Sequence, residues 1–143
     1  MSKSKSKIFV VDDHPLVREW LTNLIHKDPD LVVCGEAEDP DSALRAMATA
    51  KPDLAIIDIS LGGSSGIDLI RSIASSFPKI AIIALSMHDE RVYAERTIRA
   101  GARGYIMKRE STKKIIEAIR EVLRGESKRK LSKSSPPKLP QPA

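Results

Sequence analysis

Short runs of β-branched and other apolar residues alternate with amphipathic segments along this chain. The five runs are Ile8–Val11, Leu31–Cys34, Leu54–Ile57, Ile80–Leu85 and Gly104–Met107. Apolar residues follow one another in these runs instead of alternating with polar ones. That pattern is typical of parallel strands whose two faces are both covered. It therefore predicts five buried strands.

Apolar residues at helical spacing fill the segments between and after the runs. The inward-facing stripes that they predict are Leu16, Trp20, Leu21, Leu24 and Ile25; Ala43, Leu44, Met47 and Ala48; Ile67, Ile70 and Ile73; and Ile115, Ile116, Ile119 and Val122. In the last helix, the residues expected to face water are Lys113, Lys114, Glu117, Arg120 and Glu121. A fourth helix is expected over about 89–99, and Phe9 is assigned to the core together with Trp20.

Turn and capping residues agree with this division of the chain. Ser111 is placed to cap the start of the last helix, and Gly125 to end it. Pro29, Pro52 and Pro78 each fall between a predicted helix and the next strand, where no helical hydrogen bond is lost.

Strict alternation of strands and helices predicts a doubly wound α/β fold. Parallel strands need right-handed crossovers, which place helices on both faces of the sheet. We expect a flavodoxin-like (βα)5 domain with a five-stranded parallel sheet in the order 2-1-3-4-5. In such sheets ligands bind beyond the carboxyl ends of the strands.

Composition narrows the class of protein. With 143 residues the chain suffices for one domain, and only 3% of the residues are aromatic, so the core must be aliphatic. The single cysteine, Cys34, excludes an internal disulfide framework and a cysteine-rich zinc site. No apolar run approaches the ~20 residues needed to span a bilayer, so no membrane association is expected. We expect a soluble domain in the cytoplasm.

The positive charge is concentrated in the two ends of the chain. The total is +5, yet the first three lysines contribute +3 and the residues from Arg124 onward contribute +5, which leaves residues 8–123 with −3. We expect a disordered basic tail over 1–6, a folded domain over 7–124, and a Pro/Ser/Lys-rich linker or tail over 125–143. Such tails can attract nucleic acid or anionic lipid, but simple solvation is the favoured interpretation.

Five polar residues stand at the ends of predicted strands. Asp12 and Asp13 follow the first strand, Asp58 the third, Ser86 the fourth and Lys108 the fifth. Each alone has an ordinary structural explanation; Asp13, for example, could cap the next helix. Because the carboxyl ends of parallel strands meet at one edge, five such residues together indicate a functional site.

Three carboxylates at one edge need a counter-charge, since two of them about 4 Å apart repel by roughly 4 kcal/mol at an effective dielectric of 20. A hard divalent cation with oxygen ligands, Mg²⁺, fits this set. Asp58, from the central third strand, is the expected nucleophile toward phosphorus, and Asp12 and Asp13 the expected metal ligands. Lys108 and the Ser86 hydroxyl would contact the phosphoryl oxygens.

Four segments that carry these residues resemble one family. The segments are VVDDHPLVRE (Val10–Glu19), PDLAIIDISL (Pro52–Leu61), ALSMHDE (Ala84–Glu90) and AGARGYIMK (Ala100–Lys108). They occur in the order found in response-regulator receiver domains of two-component signalling. They are similar to the subgroup that carries a LuxR-type helix-turn-helix effector domain. The resemblance runs from about residue 7 to 123.

The resemblance implies a role for each of these residues. Asp58 would be the phosphorylation site, with Asp12, Asp13 and the Ser60 backbone carbonyl on Mg²⁺ and Lys108 on the phosphoryl group. It also implies that Ser86 and Tyr105 form a switch pair, the hydroxyl turning toward the phosphoryl oxygens while the ring moves inward. Without the family, Tyr105 would be read as a packing residue of an edge strand.

The resemblance also implies partners. A sensor histidine kinase would donate the phosphoryl group, and phosphorylation would control either homodimer formation or contact with an effector domain. The domain would promote its own phosphorylation and dephosphorylation without being an enzyme. DNA would be contacted only through an effector domain that this chain lacks, because nothing after Gly125 has helix-turn-helix periodicity. The chain could be a piece cut in its linker or a natural single-domain regulator, the first being favoured.

Three features depart from the family pattern or lie beside it. Gly62-Gly63 stands where a proline usually follows Leu61, which would loosen that loop. Arg109 stands where a cis proline often follows the lysine, and a cis bond to another residue costs about 3–4 kcal/mol, which leaves the geometry there open. His14 and His88 flank the site and are interpreted as surface or capping residues.

Other functions on similar folds lack their required residues here. A haloacid-dehalogenase-like phosphatase needs a second acid two residues after the nucleophile, where Ser60 stands. A flavin-binding module would not place two acids after the first strand, and the P-loop motif is absent. The remaining alternative is a pseudo-receiver that binds a protein partner without being phosphorylated.

Overall fold

Five strands alternate with five helices in the computed structural model, which describes residues 5–61, 66–87 and 91–125. The strands are β1 (Ser6–Val11), β2 (Leu31–Ala37), β3 (Leu54–Asp58), β4 (Ala81–Ser86) and β5 (Gly104–Met107). The helices are α1 (Pro15–His26), α2 (Pro40–Ala50), α3 (Gly66–Ser76), α4 (Arg91–Ala100) and α5 (Thr112–Leu123). The predicted alternation is confirmed.

All neighbouring strands are parallel, and their order in the sheet is β2-β1-β3-β4-β5. This is the order expected from the sequence. The central strands β3 and β4 are buried along their full length, because helices cover both faces of the sheet. The register pairs Asp58 with Leu85 and Ser86 with Met107, so the polar residues after these strands end up at one edge.

Two aliphatic clusters fill the space between the sheet and its helices. One includes Phe9 and Ile57 and packs against α2, α3 and α4, and the other includes Val10 and Ile56 and packs against α1 and α5. Consecutive residues of a strand thus enter opposite clusters, as the two-residue period of a strand requires. The continuous apolar runs of the sequence follow from this double covering.

The predicted helix caps are present. The Ser111 hydroxyl accepts a hydrogen bond from the Lys114 backbone N–H (3.2 Å) at the start of α5. Gly125 follows the last turn with φ +92°, a conformation that favours glycine, and its N–H donates to the Val122 carbonyl (2.9 Å). Asp39 caps α2 in the same way as Ser111 caps α5, through the Ser42 N–H.

Several predicted positions differ from the structure. Leu16 is 78% exposed instead of buried, because it lies in the first turn of α1, beyond the end of the sheet. Ala48 is exposed as well. Arg120 does face water as predicted, with 42% of its side chain exposed, and it also pairs with Asp28. The first strand begins at Ser6, inside the segment expected to be a tail, and Trp20 packs against the core but is only partly buried.

Some expectations fall outside the described residues. The Gly62-Gly63 loop and His88 lie there, as does the residue at which α4 was expected to begin. Within 5–61, 66–87 and 91–125, none of the helices has the length and apolar character that a bilayer crossing requires. All peptide bonds in these ranges are trans, including the bond between Lys108 and Arg109.

Candidate functional site

The polar residues predicted from the strand ends come together at the carboxyl edge of the sheet. Asp12 follows β1, Asp58 and Ser86 are the last residues of β3 and β4, and Lys108 follows β5. The potential ligand atoms of Asp12, Asp13, His14 and Asp58 all lie within 4.8 Å of one another. Parallel pairing in the order 2-1-3-4-5 therefore collects an acidic cluster, as expected, and adds an imidazole to it.

Asp12 is completely buried at the end of β1. Its Oδ1 accepts a hydrogen bond from the His14 backbone N–H (2.9 Å), and its Oδ2 lies 3.1 Å from Lys108 Nζ. The backbone N–H of Asp12 donates to the Ala37 carbonyl of β2 (3.1 Å). The carboxylate is thus fixed by the sheet at its backbone and by the following turn at its side chain.

Asp58 is 1% exposed and lies deep in the cluster. Its Oδ1 accepts a hydrogen bond from the Ser60 N–H (3.1 Å), and its Oδ2 lies 3.6 Å from Lys108 Nζ. Burial raises the pKa of the Asp58 carboxyl, and the nearby carboxylates of Asp12 and Asp13 act in the same direction. The Ser60 N–H and Lys108 oppose this rise without cancelling it.

Lys108 is the only cation whose ion pairs with both Asp12 and Asp58 are seen among the described residues. Its side chain is 9% exposed, and its backbone N–H donates to the Ser86 carbonyl (2.7 Å). The pairing of β4 with β5 therefore positions the ammonium group beside the carboxylates. One lysine faces three carboxylates, so the cluster remains net negative.

The carboxylate oxygens retain unused acceptor capacity. Asp12 Oδ2, Asp13 Oδ1 and Asp58 Oδ2 are buried, and none accepts a hydrogen bond of good geometry from the residues that the structure describes. The Lys108 ammonium is the only cation paired with Asp12 Oδ2 and Asp58 Oδ2 in the described part of the chain, and buried charged oxygens with so few partners are costly. A hard divalent cation would satisfy them, and an all-oxygen set suits Mg²⁺. The donor set therefore fits the expected metal.

Ser86 and Tyr105 lie on neighbouring strands beside this cluster. Ser86 is fully buried at the end of β4. Tyr105 is half-buried on β5, and its ring packs on the cluster that α2, α3 and α4 cover. The half-buried ring agrees with a packing role, and the switch remains a prediction.

His14 contacts the acidic cluster. It is the N-cap residue of α1, but its side chain makes no capping hydrogen bond, and Asp13 does not cap that helix either. Instead, Nδ1 of His14 lies 2.9 Å from Asp12 Oδ1 and 3.1 Å from Asp13 Oδ1, with 60% of the side chain exposed. His14 is therefore exposed, as the sequence predicted, but its contacts with the carboxylates of Asp12 and Asp13 were not predicted.

Two residues that support the site were not found from the sequence. Arg18 of α1 donates from Nη1 to the Asp12 carbonyl (2.7 Å) and from Nε to Glu36 Oε1 (2.9 Å). Gly66 approaches the β3 end so closely that a Cβ there would lie 2.1 Å from the Asp58 carbonyl oxygen. An arginine one turn into α1 and a glycine shortly after Asp58 are weak signals, because their partners lie far away in the sequence or depend on how the chain turns after β3.

Comparison with known proteins places these residues in context. Residues 8–120 match the family described as the response regulator receiver domain. A transcriptional regulatory protein of Bacillus subtilis, YxjL, is 36% identical over 127 residues, which cover 89% of this chain and 58% of that protein. The chain spans little more than half the length of the curated relatives it matches.

Solved structures share the fold. A two-component response regulator of the LuxR family from Aurantimonas has a TM-score of 0.83 and 34% identity, over 87% of this chain and 89% of that one. A CheY-like receiver domain protein from Methanospirillum hungatei, 23% identical, has a TM-score of 0.77 over 85% and 96% of the two chains. The second likeness concerns the fold alone.

Proposed function

This chain belongs to the response regulator receiver domain family, and from that premise we propose that it takes a phosphoryl group onto Asp58 from a sensor histidine kinase. Receiver domains of response regulators are signalling domains and not enzymes in the usual sense. The observation that carries the proposal is the buried cluster of Asp12, Asp13 and Asp58 around Lys108, with acceptor oxygens left over.

In the proposed transfer, one carboxylate oxygen of Asp58 bonds to the phosphorus of a phosphohistidine while the phosphorus–nitrogen bond breaks, and the imidazole leaves with the electron pair. The burial that raises the pKa of Asp58 also strips water from its carboxylate. Lys108 lies between Asp12 and Asp58, where its ammonium would meet a phosphoryl oxygen. The Ser86 hydroxyl would donate a hydrogen bond to a second phosphoryl oxygen.

Mg²⁺ would be held by Asp12, Asp13, Asp58 and the Ser60 carbonyl, and when bound it would supply positive charge to the phosphoryl oxygens. The chain's own contribution is placement. Asp12 is fixed by Ala37 and His14, and Asp58 by the Ser60 N–H. The same placement would support hydrolysis of the aspartyl phosphate, so the domain would promote both its phosphorylation and its dephosphorylation.

Phosphorylation would then shift a conformational equilibrium. The phosphoryl group carries about −1.5 to −2 of charge in place of the single charge of the Asp58 carboxylate at the end of β3. The change would bias the positions of Ser86, Tyr105 and α4. The altered face would favour a homodimer or release an effector domain. DNA binding would belong to that separate domain; the chain matches transcriptional regulatory proteins over little more than half their length. A cytoplasmic location is part of the same proposal.

The direct test is phosphorylation by a small donor. Protein incubated with acetyl phosphate and Mg²⁺ should gain one phosphoryl group in intact mass spectrometry, and chelation of Mg²⁺ should prevent it. Asp58→Asn should gain none, whereas Asp41→Asn, which removes an exposed carboxylate of α2, should behave as the wild type. Labelling of Asp58→Asn would refute the site assignment.

A variant at Lys108 should distinguish phosphoryl transfer to Asp58 from the conformational change that follows it. Lys108→Ala should still form the adduct, though more slowly, because the nucleophile and the metal ligands remain. The amide shifts of Tyr105 and α4 that accompany phosphorylation in the wild type should be absent, since no ammonium then anchors the phosphoryl group. Absence of any adduct in the wild type under several donors would favour the pseudo-receiver alternative.

A further inference from the structure

We propose that His14 Nδ1 acts as a ligand beside the carboxylates when the acidic site holds a borderline transition-metal ion of the Mn²⁺, Co²⁺ and Zn²⁺ class. This inference rests on the proposed cation site. It adds a nitrogen donor that would change which divalent ion the site prefers. The resemblance to the family implied only oxygen ligands, so the imidazole is a property of these residues in this arrangement.

The distances around His14 are those of neighbouring ligands on one ion. Ligands about 2.1 Å from a metal and at right angles to each other lie about 3.0 Å apart. Nδ1 of His14 lies 2.9 Å from Asp12 Oδ1 and 3.1 Å from Asp13 Oδ1. Nδ1 therefore lies at the spacing of a neighbouring ligand from each of the two carboxylates.

Asp58 is the fourth member of the set. All four potential ligand atoms lie within 4.8 Å of one another, while ligands opposite each other on one ion would be about 4.2 Å apart. The limit of 4.8 Å exceeds the spacing of opposite ligands by about 0.6 Å, so the ligand atoms would have to draw together around a bound ion. The buried oxygens of Asp13 and Asp58 that accept no hydrogen bond among the described residues provide the independent sign that a cation belongs there.

The turn between β1 and α1 holds His14 in this place. Its backbone N–H donates to Asp12 Oδ1 (2.9 Å), and the next residue, Pro15, restricts its backbone to extended conformations, as observed at φ −100° and ψ 114°. The ring is 60% exposed, so water molecules can complete the coordination on its outer side. The imidazole therefore faces the cluster without being enclosed by it.

The chemical type of the ligand atoms determines which divalent ion the site prefers. Mg²⁺ favours oxygen and gains little from an imidazole, whereas imidazole nitrogen suits Co²⁺, Zn²⁺ and their neighbours. A site with three carboxylates and one imidazole should bind Co²⁺ more tightly than a site with the carboxylates alone. The effect of His14 should thus appear in the selectivity between the ions.

A simpler arrangement competes with this one. Nδ1 could carry a proton and donate it to Asp12 Oδ1 at 2.9 Å, in which case His14 only orients a carboxylate. The two arrangements differ in one observable. Only direct ligation places a nitrogen nucleus on the metal.

The experiment compares the wild type with His14→Gln and with a matched histidine variant, His26→Gln. His26 ends α1, and its Nε2 accepts the Val33 backbone N–H (3.1 Å), away from the site. Pulsed electron paramagnetic resonance of bound Mn²⁺ should show coupling to one imidazole nitrogen in the wild type and in His26→Gln, and none in His14→Gln. Calorimetric titration should show the preference for Co²⁺ over Mg²⁺ falling about tenfold or more in His14→Gln alone.

Each outcome bears on the inference. Absence of nitrogen coupling in the wild type, its persistence in His14→Gln, or an unchanged ratio of Co²⁺ to Mg²⁺ affinity would overturn it. If the wild type is phosphorylated with Mg²⁺ but shows no nitrogen coupling, only this inference fails. If it binds none of these ions, the inference and the cation site of the proposed function both fail.

Discussion

Asp58 is a carboxylate in surroundings that oppose its charge. Burial raises its pKa, and Asp12 and Asp13 add to the effect. A folded-state pKa above the unfolded one means that the folded protein holds this proton more tightly. The ionised side chain therefore lowers the stability of the metal-free domain. The penalty is absent in acid, grows as the pH rises through the unfolded pKa, and is complete above the folded pKa.

Asp58→Asn should accordingly stabilise the metal-free protein at neutral pH. We expect a gain of about 1–3 kcal/mol in the free energy of unfolding, the scale of a few partly offset charge interactions at short range. Urea unfolding in the presence of a chelator, at pH 7 and in mild acid, would measure it. The gain should shrink toward acid. Asp41→Asn, at an exposed position, should show no gain, and an equal gain there would contradict the explanation.

Gly66 is a second single residue that shapes the site, because it has no side chain to collide with the end of β3. A Cβ at this position would lie 2.1 Å from the Asp58 carbonyl oxygen and 2.5 Å from Ile59 Cα. Both are backbone atoms of the segment that carries the proposed nucleophile. The absence of a side chain thus allows α3 to begin directly beside the end of β3.

Gly66→Ala should displace that segment. We expect a loss of about 2 kcal/mol or more in the free energy of unfolding, together with slower phosphorylation by acetyl phosphate. Gly125→Ala is the matched control, because a Cβ there meets nothing within 4 Å although φ is +92°. It should cost about 1 kcal/mol and leave the phosphorylation rate unchanged. Equal rates for Gly66→Ala and the wild type would refute the positional role.

At the scale of elements, one arginine joins three of them at the site. Arg18 of α1 donates to the Asp12 carbonyl after β1 and to Glu36 of β2. The turn that carries Asp12 and Asp13 is thereby held against both the helix and the edge strand. The role is one of positioning, since the guanidinium contacts the backbone of a proposed metal ligand and not the metal site itself.

Arg18→Ala should weaken Mg²⁺ binding by about tenfold, the lower end of what loss of a supporting contact costs a metal site. Arg18→Lys should recover part of it, because a lysine can still donate to one of the two acceptors. Calorimetric titration would measure both. The matched control is Arg120→Ala, which breaks another arginine–carboxylate pair away from the site. If both alanine variants lost Mg²⁺ affinity equally, the loss would reflect general destabilisation.

At the scale of the whole molecule, Arg120 connects distant parts of the chain. Its guanidinium donates from Nε and Nη2 to Asp28 Oδ2 (2.9 and 2.6 Å) and lies 3.4 Å from Asp30 Oδ2. Asp28 is only 8% exposed. The pair ties α5, near the end of the described chain, to the loop that leads into the edge strand β2.

Arg120→Ala should lower the urea midpoint of unfolding while leaving the m-value unchanged, because the folded and unfolded states expose nearly the same surface as before. The cause is the buried carboxylate of Asp28, which would lose its partner. Asp28→Asn with Arg120→Ala should be less destabilising than the sum of the single changes. Additive losses in this double-mutant cycle would show that the two groups are not coupled.

Much of the fold and of the candidate site followed from local patterns. Continuous apolar runs indicated doubly covered strands, and Ser111 and Gly125 marked the limits of the last helix, because caps and turns depend on neighbouring residues alone. The strand ends brought Asp12, Asp58 and Lys108 to one edge once the alternation of strands and helices was recognised. These features depend on sequence neighbours and on the topology that parallel strands impose.

Other features depended on contacts between segments far apart in the sequence. Leu16 continues the apolar stripe of α1, yet it is exposed, because only the position of the helix against the sheet determines where covering ends. Arg18, Gly66 and Arg120 carry no local signal of their partners. The sequence by itself determined the strands, the helices and the residues with chemical potential. The tertiary structure decided which side chains meet, including His14 with the acids, because distances between segments arise only when the sheet and its helices pack together.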